Sequence, residues 1–355
     1  MPPPRSRPAA CSASPDAPVT TAGAARARRW RLALIAGVAL ALAPGTFVRT
    51  ATGRRTDVAA VTVTPLAERA GVTGQLPLTG VWALASPQGW FGGFSALVHS
   101  TGKDGEAALV AGTDRGFLLD IDLASGTPRA RPRSFRFIGL SKGSRHEIVD
   151  LESLARDPAT GTLWGGFEKY NLVLRWDADG TVKRAAPPAM ADWAQNSGPE
   201  AMTRLADGRF LVIAEEAEDG SRTAHKALLF PGDPLARGRP PLALRFAAPA
   251  DYDPVDVTGL PDGRVLILLR RVEYALPARF DTAIAIADPR AITAGGTWQG
   301  RVIQRMTGGI FADNFEGLAF VPSATDPARG SIWVISDDDM SIFQRSLLLR
   351  FDWPG

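Results

Sequence analysis

The 355-residue chain has a single cysteine, Cys11, and only three histidines. With no other cysteine, disulfides, thiolate metal sites and a cysteine nucleophile are excluded from everything that reads as folded. A surplus of one charge sign is missing as well. Seven of the 40 basic residues and one of the 37 acidic residues lie in residues 1–50, which leaves 33 basic against 36 acidic beyond them. A mildly acidic remainder gives no case for nucleic acid as a partner. Sustained helical periodicity is scarce after residue 58, so helical bundles and doubly wound folds are excluded too.

The basic excess belongs to a leader. Residues 1–24, rich in Pro, Ala and Ser, read as a disordered extension. Residues 25–50 read as an export signal or an N-terminal membrane anchor, with "ARARRWR" (25–31) followed by "LALIAGVALALAPGTFV" (32–48). The most apolar part, Leu32 to Ala43, is short of the ~20 residues a membrane helix needs, which favours a cleaved signal; extended to Val48 it suits an anchor. Cys11 precedes this run, whereas a lipid-bearing cysteine would follow it. The expected location is periplasmic or extracellular.

Residues 51–355 show one element several times. "DGRFLVIAEE" (207–216), "DGRVLILLRR" (262–271), "GTLWGGFE" (161–168) and "GSIWVISDD" (330–338) each run from a turn into an apolar strand. Seven positions after the turn glycine stand Glu215, Arg270, Glu168 and Asp337. A longer first copy, 104–116, reaches Asp114-Arg115. Ahead of these turns lie "FSAL" (94–97), "LESL" (151–154), "PEAM" (199–202), "VDVTGL" (255–260) and "FEGL" (315–318). A third apolar run follows each turn element, and usually a fourth. Four strands per unit at a spacing of 48–60 residues is the period of a β-propeller blade. The expected fold is therefore an all-β propeller of four-stranded blades, five visible and five or six in total. Because the chain stops after the third strand of its last unit, an N-terminal strand is expected to close the ring, with residues 58–66 pairing with 346–352. A β-sandwich or solenoid is the alternative.

"WFGGFSAL", "DLESLA", "GPEAM", "LPDGRVLILLRR", "DNFEGLAF" and "ISDDDMSIFQRSLLLRFD" fall in order between about Trp90 and Asp352. Together they resemble the bacterial phytase-like family, also described as "esterase-like activity of phytase". The resemblance implies a propeller with phosphoesterase or esterase activity.

In a propeller, corresponding positions of the inner strands converge on a central channel. That ring is expected to hold Ser95, Glu152, Glu200, Asp256 (one step out of register) and Glu316, with Asp114, Glu168, Glu215 and Asp337 close by. Crowded carboxylates need raised pKa values, a cation or basic partners. Hard oxygen donors suit Ca²⁺ or another hard divalent cation rather than zinc. The expected metal ligands are Glu152, Glu200, Glu316, Asp256, Asp114 and Asp337. Glu316, Glu200, Glu152 and His146 are the expected acid-base groups. Arg115, Arg270 and Arg271 are read as a clamp for a small anionic substrate, with Ser95 and Asn314 beside it. The structural alternative for any one acid is a turn, since Asp at a strand end bonds its own backbone; Asp338 and Asp339 suit that role. A Glu repeating at the inner-strand start is not explained by turn chemistry. A serine nucleophile is disfavoured, because "GGFSAL" lacks the second glycine of the G-x-S-x-G elbow. The resulting reading is a metal-assisted hydrolase of phosphate esters or related esters. A non-catalytic cation- or ligand-binding propeller and a lactonase-like hydrolase stand as alternatives.

Overall fold

Turn chemistry cuts the chain into strands. Asp207 and Asp262 accept the N–H of the residue two positions on, at 3.1 and 2.9 Å, while Gly208 and Gly263 take φ values of 87° and 86°. A side chain would strain that backbone, so the Asp-Gly pair sets the hairpin leading into each apolar run. In the computed structural model the described residues are 30–35, 37–38, 59–102, 104–124, 127–138, 149–195, 198–275, 278–341 and 343–355. Met1–Arg49 and Thr50–Gly355 form two units. In the first, residues 30–35 and 37–38 are helical; the rest of the expected leader lies outside the described residues. No helix among the described residues is long and apolar enough to cross a membrane.

The second unit is a five-bladed β-propeller. The inner strands are Phe94–Thr101, Leu151–Arg156, Ala201–Arg204, Asp253–Gly259 and Asn314–Pro322. Each continues outward through antiparallel second and third strands: Ala107–Thr113 and Phe117–Asp122 in blade 1, Leu163–Phe167 and Leu172–Trp176 in blade 2. The corresponding pairs are Phe210–Ala217 and Ala224–Phe230 in blade 3, Val265–Glu273 and Arg279–Ala287 in blade 4, Gly330–Asp337 and Ser346–Trp353 in blade 5. Every inner strand packs on the next, and that of blade 5 packs on that of blade 1, so the ring is closed.

Sheets stacked face to face bury both sides of a second strand, which is why these strands read as continuous apolar runs. Five hydrophobic clusters result, and each spans two adjacent blades. Leu211 and Ile213 meet Val265 and Ile267 between blades 3 and 4, and Leu266 and Leu268 meet Phe315 and Leu349 between blades 4 and 5. Each such side chain contributes roughly 1.5–3 kcal/mol by leaving water.

The expected closing strand is corrected. Leu78–Ala85, not residues 58–66, pairs with the third strand of blade 5, from Ser346↔Leu84 to Phe351↔Leu78. Thr62–Pro65 adds one strand further out, pairing with Trp82–Ala85. The reason is packing. Val81, Trp82 and Leu84 are buried and Trp82 stacks on Trp333 at 5.5 Å, whereas Thr62–Pro65 is mostly exposed and suits only an edge. Between them Val72–Gly74 covers the outer edge of blade 4, and Thr297–Gln299 covers blade 3. Among the described residues, 59–90 therefore extend the outer sides of blades 4 and 5 and form no sixth blade.

Candidate active site

At one end of the channel the inner strands carry a repeated irregularity. Pairing with the second strand slips by one residue at Ser95, Glu152, Val255 and Glu316. In blade 3 regular pairing begins at Ala201, and Glu200 stands just ahead of it. A bulged residue has no opposite number in the ladder and its strand bends, which re-aims the side chain. Four of these five side chains are polar, and three are glutamates.

The residue opposite the start of each inner strand forms a second tier. These are Asp114, Glu168, Glu215, Arg270 and Asp337, with Asp114 N donating to Gly93 O, Glu168 N to Asp150 O, and Arg270 paired with Asp253. Four blades place a carboxylate there and blade 4 places a guanidinium. Arg270 donates to Glu316 Oε1 in blade 5, to Glu215 Oε1 in blade 3, and to Asn314 Oδ1 at 2.7 Å. Asn314 Nδ2 also donates to Glu316 Oε1, at 2.9 Å.

The electrostatics follow from burial and number. Burial opposes the charge of Arg270, and Glu316, Glu215, Glu200 and Asp253 outweigh it, so the guanidinium stays charged. Glu316 rises to about 7, because burial and the charges of Asp339 and Glu215 overcome Arg270. Glu168 also rises to about 7, through burial first and then Glu215 and Asp150, against a hydrogen bond with Glu200. Glu152 and Glu200 are driven well above the carboxylate range by burial and by one another's neighbours, among them Glu316 in both cases. Asp337 behaves likewise, and Asp114 rises to about 6 through burial, Asp150 and Asp338.

Two sets of three carboxylates bring one oxygen each to within 4.8 Å of one another: Asp150, Glu152 and Glu168, and Glu168, Glu200 and Glu215. Two oxygens bound to one Ca²⁺ at about 2.4 Å lie at most ~4.8 Å apart, so either set fits a hard divalent cation. Asp114 Oδ1 is a buried oxygen without a hydrogen-bond partner among the described residues. The donors are all oxygens, as such ions prefer.

A family model described as phytase-like, esterase-like activity of phytase, matches residues 89–340, more than two thirds of the chain. The chain belongs to the phytase-like family. No curated protein matches it. Among solved structures it is similar to hydrazine synthase of Kuenenia stuttgartiensis, at 15% identity and a TM-score of 0.34, covering 69% of this chain and 55% of that one. It is also similar to virginiamycin B lyase of Staphylococcus aureus (11% identity, 83% and 99% covered, TM-score 0.34). A third is a mannose phosphorylase of Leishmania mexicana in complex with phosphate (12%, 74% and 85%, TM-score 0.39). All three are too distant to bear on chemistry.

In this phytase-like chain the expected site residues divide into four groups. Glu152, Glu200, Glu316, Asp114, Asp337, Asn314 and Arg270 meet at the channel mouth. Asp256, Ser95 and Arg271 do not face it. Asp256 lies one residue past the slip at Val255, so its side chain enters the packed layer below, accepting from Val257 N at 2.7 Å, Leu318 N at 2.6 Å and the Leu97 backbone. Ser95 is buried and donates to Leu151 O at 2.5 Å. Arg271 follows Arg270 on a strand and so points the other way, pairing with Asp281 at 2.5 Å and lying 5.2 Å from the Tyr252 ring. Arg115 sits between, 3.7 Å from Asp114 and 5.9 Å from the Trp90 ring. His146 lies outside the described residues.

Asp338 and Asp339 are both occupied. Asp338 accepts from Gly93 N, Met340 N and Ser346 Oγ, and Asp339 accepts from Gln344 Nε2 and lies 3.5 Å from Asn314 Nδ2. Asp150 was missed. It precedes Glu152 by two residues, as Asn314 precedes Glu316, and that spacing was the available signal. Glu168, read as a neighbour of the ring, is the member shared by both carboxylate sets.

Proposed function

We propose that this chain is a hydrolase that holds a hard divalent cation, Ca²⁺ or one of similar chemistry, at the channel mouth and cleaves phosphate esters or related esters. The observation that carries the reading is the pair of three-carboxylate sets joined at Glu168. Membership of the phytase-like family supports ester cleavage. When bound, such a cation supplies Lewis acidity and a counter-charge for an anionic oxygen.

The chain's own residues do the rest. Asp150, Glu152 and Glu168 would hold the ion. Glu200, hydrogen-bonded to Glu168 and raised in pKa, is suited to carry a proton between water and the leaving oxygen. Arg115 stands beside the mouth, within reach of an incoming anionic group. Covalent catalysis by Ser95 is disfavoured, because its hydroxyl is buried and committed to a carbonyl. Residues 25–50 serve export or anchoring in this reading, which places the propeller outside the cytoplasm.

The test is metal analysis of residues 51–355, followed by a panel of p-nitrophenyl phosphate, a p-nitrophenyl ester and a lactone with and without the ion. Cation-dependent turnover lost in Glu200→Gln is the expected result. Bound cation with no turnover on any of the three would leave a binding propeller in its place.

A further inference from the structure

The five second-tier positions are equivalent by strand register, yet one of them carries the opposite charge. Arg270 is the one cation among the five second-tier positions, and it is not free. It lies between blades 3 and 5 and bonds one oxygen each of Glu215 and Glu316, with Asn314 bracing it from the same side. The ring of Phe280 lies 5.8 Å from its guanidinium. The mouth is thus uneven. Glu215 of blade 3 and Glu316 of blade 5 have a cation supplied by the chain. Around blade 2, Asp150, Glu152 and Glu168 form no ion pair among the described residues: Lys169 donates its backbone N–H to Asp150 Oδ2 at 3.2 Å, and its charge only partly offsets the burial that raises Asp150.

We infer that Arg270 is a built-in counter-cation that decides where a metal binds, withdrawing Glu215 and Glu316 from the donor set and leaving Asp150, Glu152 and Glu168 as the site. This rests on the cation reading above. Of the two geometrically suitable sets, the one containing Glu215 has an oxygen already taken. A divalent ion brought there would sit beside a buried guanidinium, and like charges held close in a poorly solvated place repel strongly. The other set has no guanidinium bonded to it among the described residues. Arg270 is on this view a positioning residue, acting through the carboxylates it holds rather than on substrate.

The experiment is calorimetric titration of the full chain with Ca²⁺. Glu168→Gln should weaken binding by about tenfold or more, because it removes a charged ligand. Glu316→Gln and Glu215→Gln should change it by less than about threefold, since each already gives an oxygen to Arg270. Arg270→Gln frees two carboxylates, and a second Ca²⁺ per chain should then bind. Arg270→Lys keeps the charge and should retain the wild-type stoichiometry. Should Arg270→Gln fail to fold, the Glu316→Gln and Glu168→Gln pair decides alone, since both carry intact Arg270. Equal loss of Ca²⁺ affinity in those two variants overturns the inference while leaving the cation reading in place. A wild-type chain that binds no divalent ion removes both.

Discussion

Asp256 and Glu200 are both buried carboxylates, one in an inner strand and one just ahead of one, and their surroundings differ in kind. Asp256 sits among backbone N–H groups of three strands: its own, that of blade 5 and that of blade 1. It holds inner strands together across the channel. Glu200 sits among other carboxylates: Glu152, Glu215, Glu168 and Glu316 all act on it. The first environment satisfies the group, and the second leaves it dependent on a proton or a cation. Burial of an acid therefore says little by itself. What surrounds it separates an acid that maintains the fold from one available for chemistry.

The largest effect expected from this contrast is at Asp256. Asp256→Ala orphans backbone donors at the centre of the ring and should cost about 3–5 kcal/mol, read as a lower denaturation midpoint. A neutral result would break the contrast at once. Gly317→Ala probes the same packed layer without touching charge. An added Cβ would lie 2.9 Å from the Ala96 carbonyl carbon and 2.6 Å from Ile335 Cγ2, so a loss of about 1–3 kcal/mol is expected.

The mouth should respond to pH instead. Glu168 and Glu316 rise from ordinary values of 4.5 to about 7, and Asp114 from 3.8 to about 6. Between those limits the unfolded chain has released protons that the folded chain keeps. Stability from these groups is thus fully present at low pH and falls as pH rises through the window. In chelator, Tm should drop between about pH 5 and pH 7.5, and Ca²⁺ should restore it at the upper value far more than at the lower. A flat profile in chelator would mean the carboxylates are already compensated.

Glu200→Gln sharpens the comparison by having the opposite sign to Asp256→Ala. Replacing a carboxyl that burial and its acidic neighbours force to keep a proton should raise stability in chelator by about 1 kcal/mol while shrinking the response to Ca²⁺. Any marked destabilisation would move Glu200 into the structural class with Asp256. The smallest effect on stability belongs to Arg115→Ala at the rim. Its melting should be unchanged within about 0.5 kcal/mol, and the expected change is a higher KM for an anionic ester with little change in kcat. An unchanged KM would remove Arg115 from substrate binding.

The sequence by itself determined the blade. Asp-Gly turns, apolar runs and their 48–60-residue spacing depend on neighbours along the chain, so five inner strands and the equivalence of Asp114, Glu168, Glu215, Arg270 and Asp337 were readable from local order. Glu152, Glu200 and Glu316 were likewise placed at the mouth by repetition alone. Tertiary structure decided what depends on a one-residue shift or on another blade. The slip at Val255 turns Asp256 out of the ring into the packed layer, because side chains alternate along a strand and a single extra residue reverses them. Closure by Leu78–Ala85 was settled by which N-terminal segment could bury Val81 and Trp82 against blade 5. The commitment of Arg270 to Glu215 and Glu316 joins residues 55 and 46 positions away in the chain. Only the curvature of the ring brings those three blades close enough for one guanidinium to bridge them.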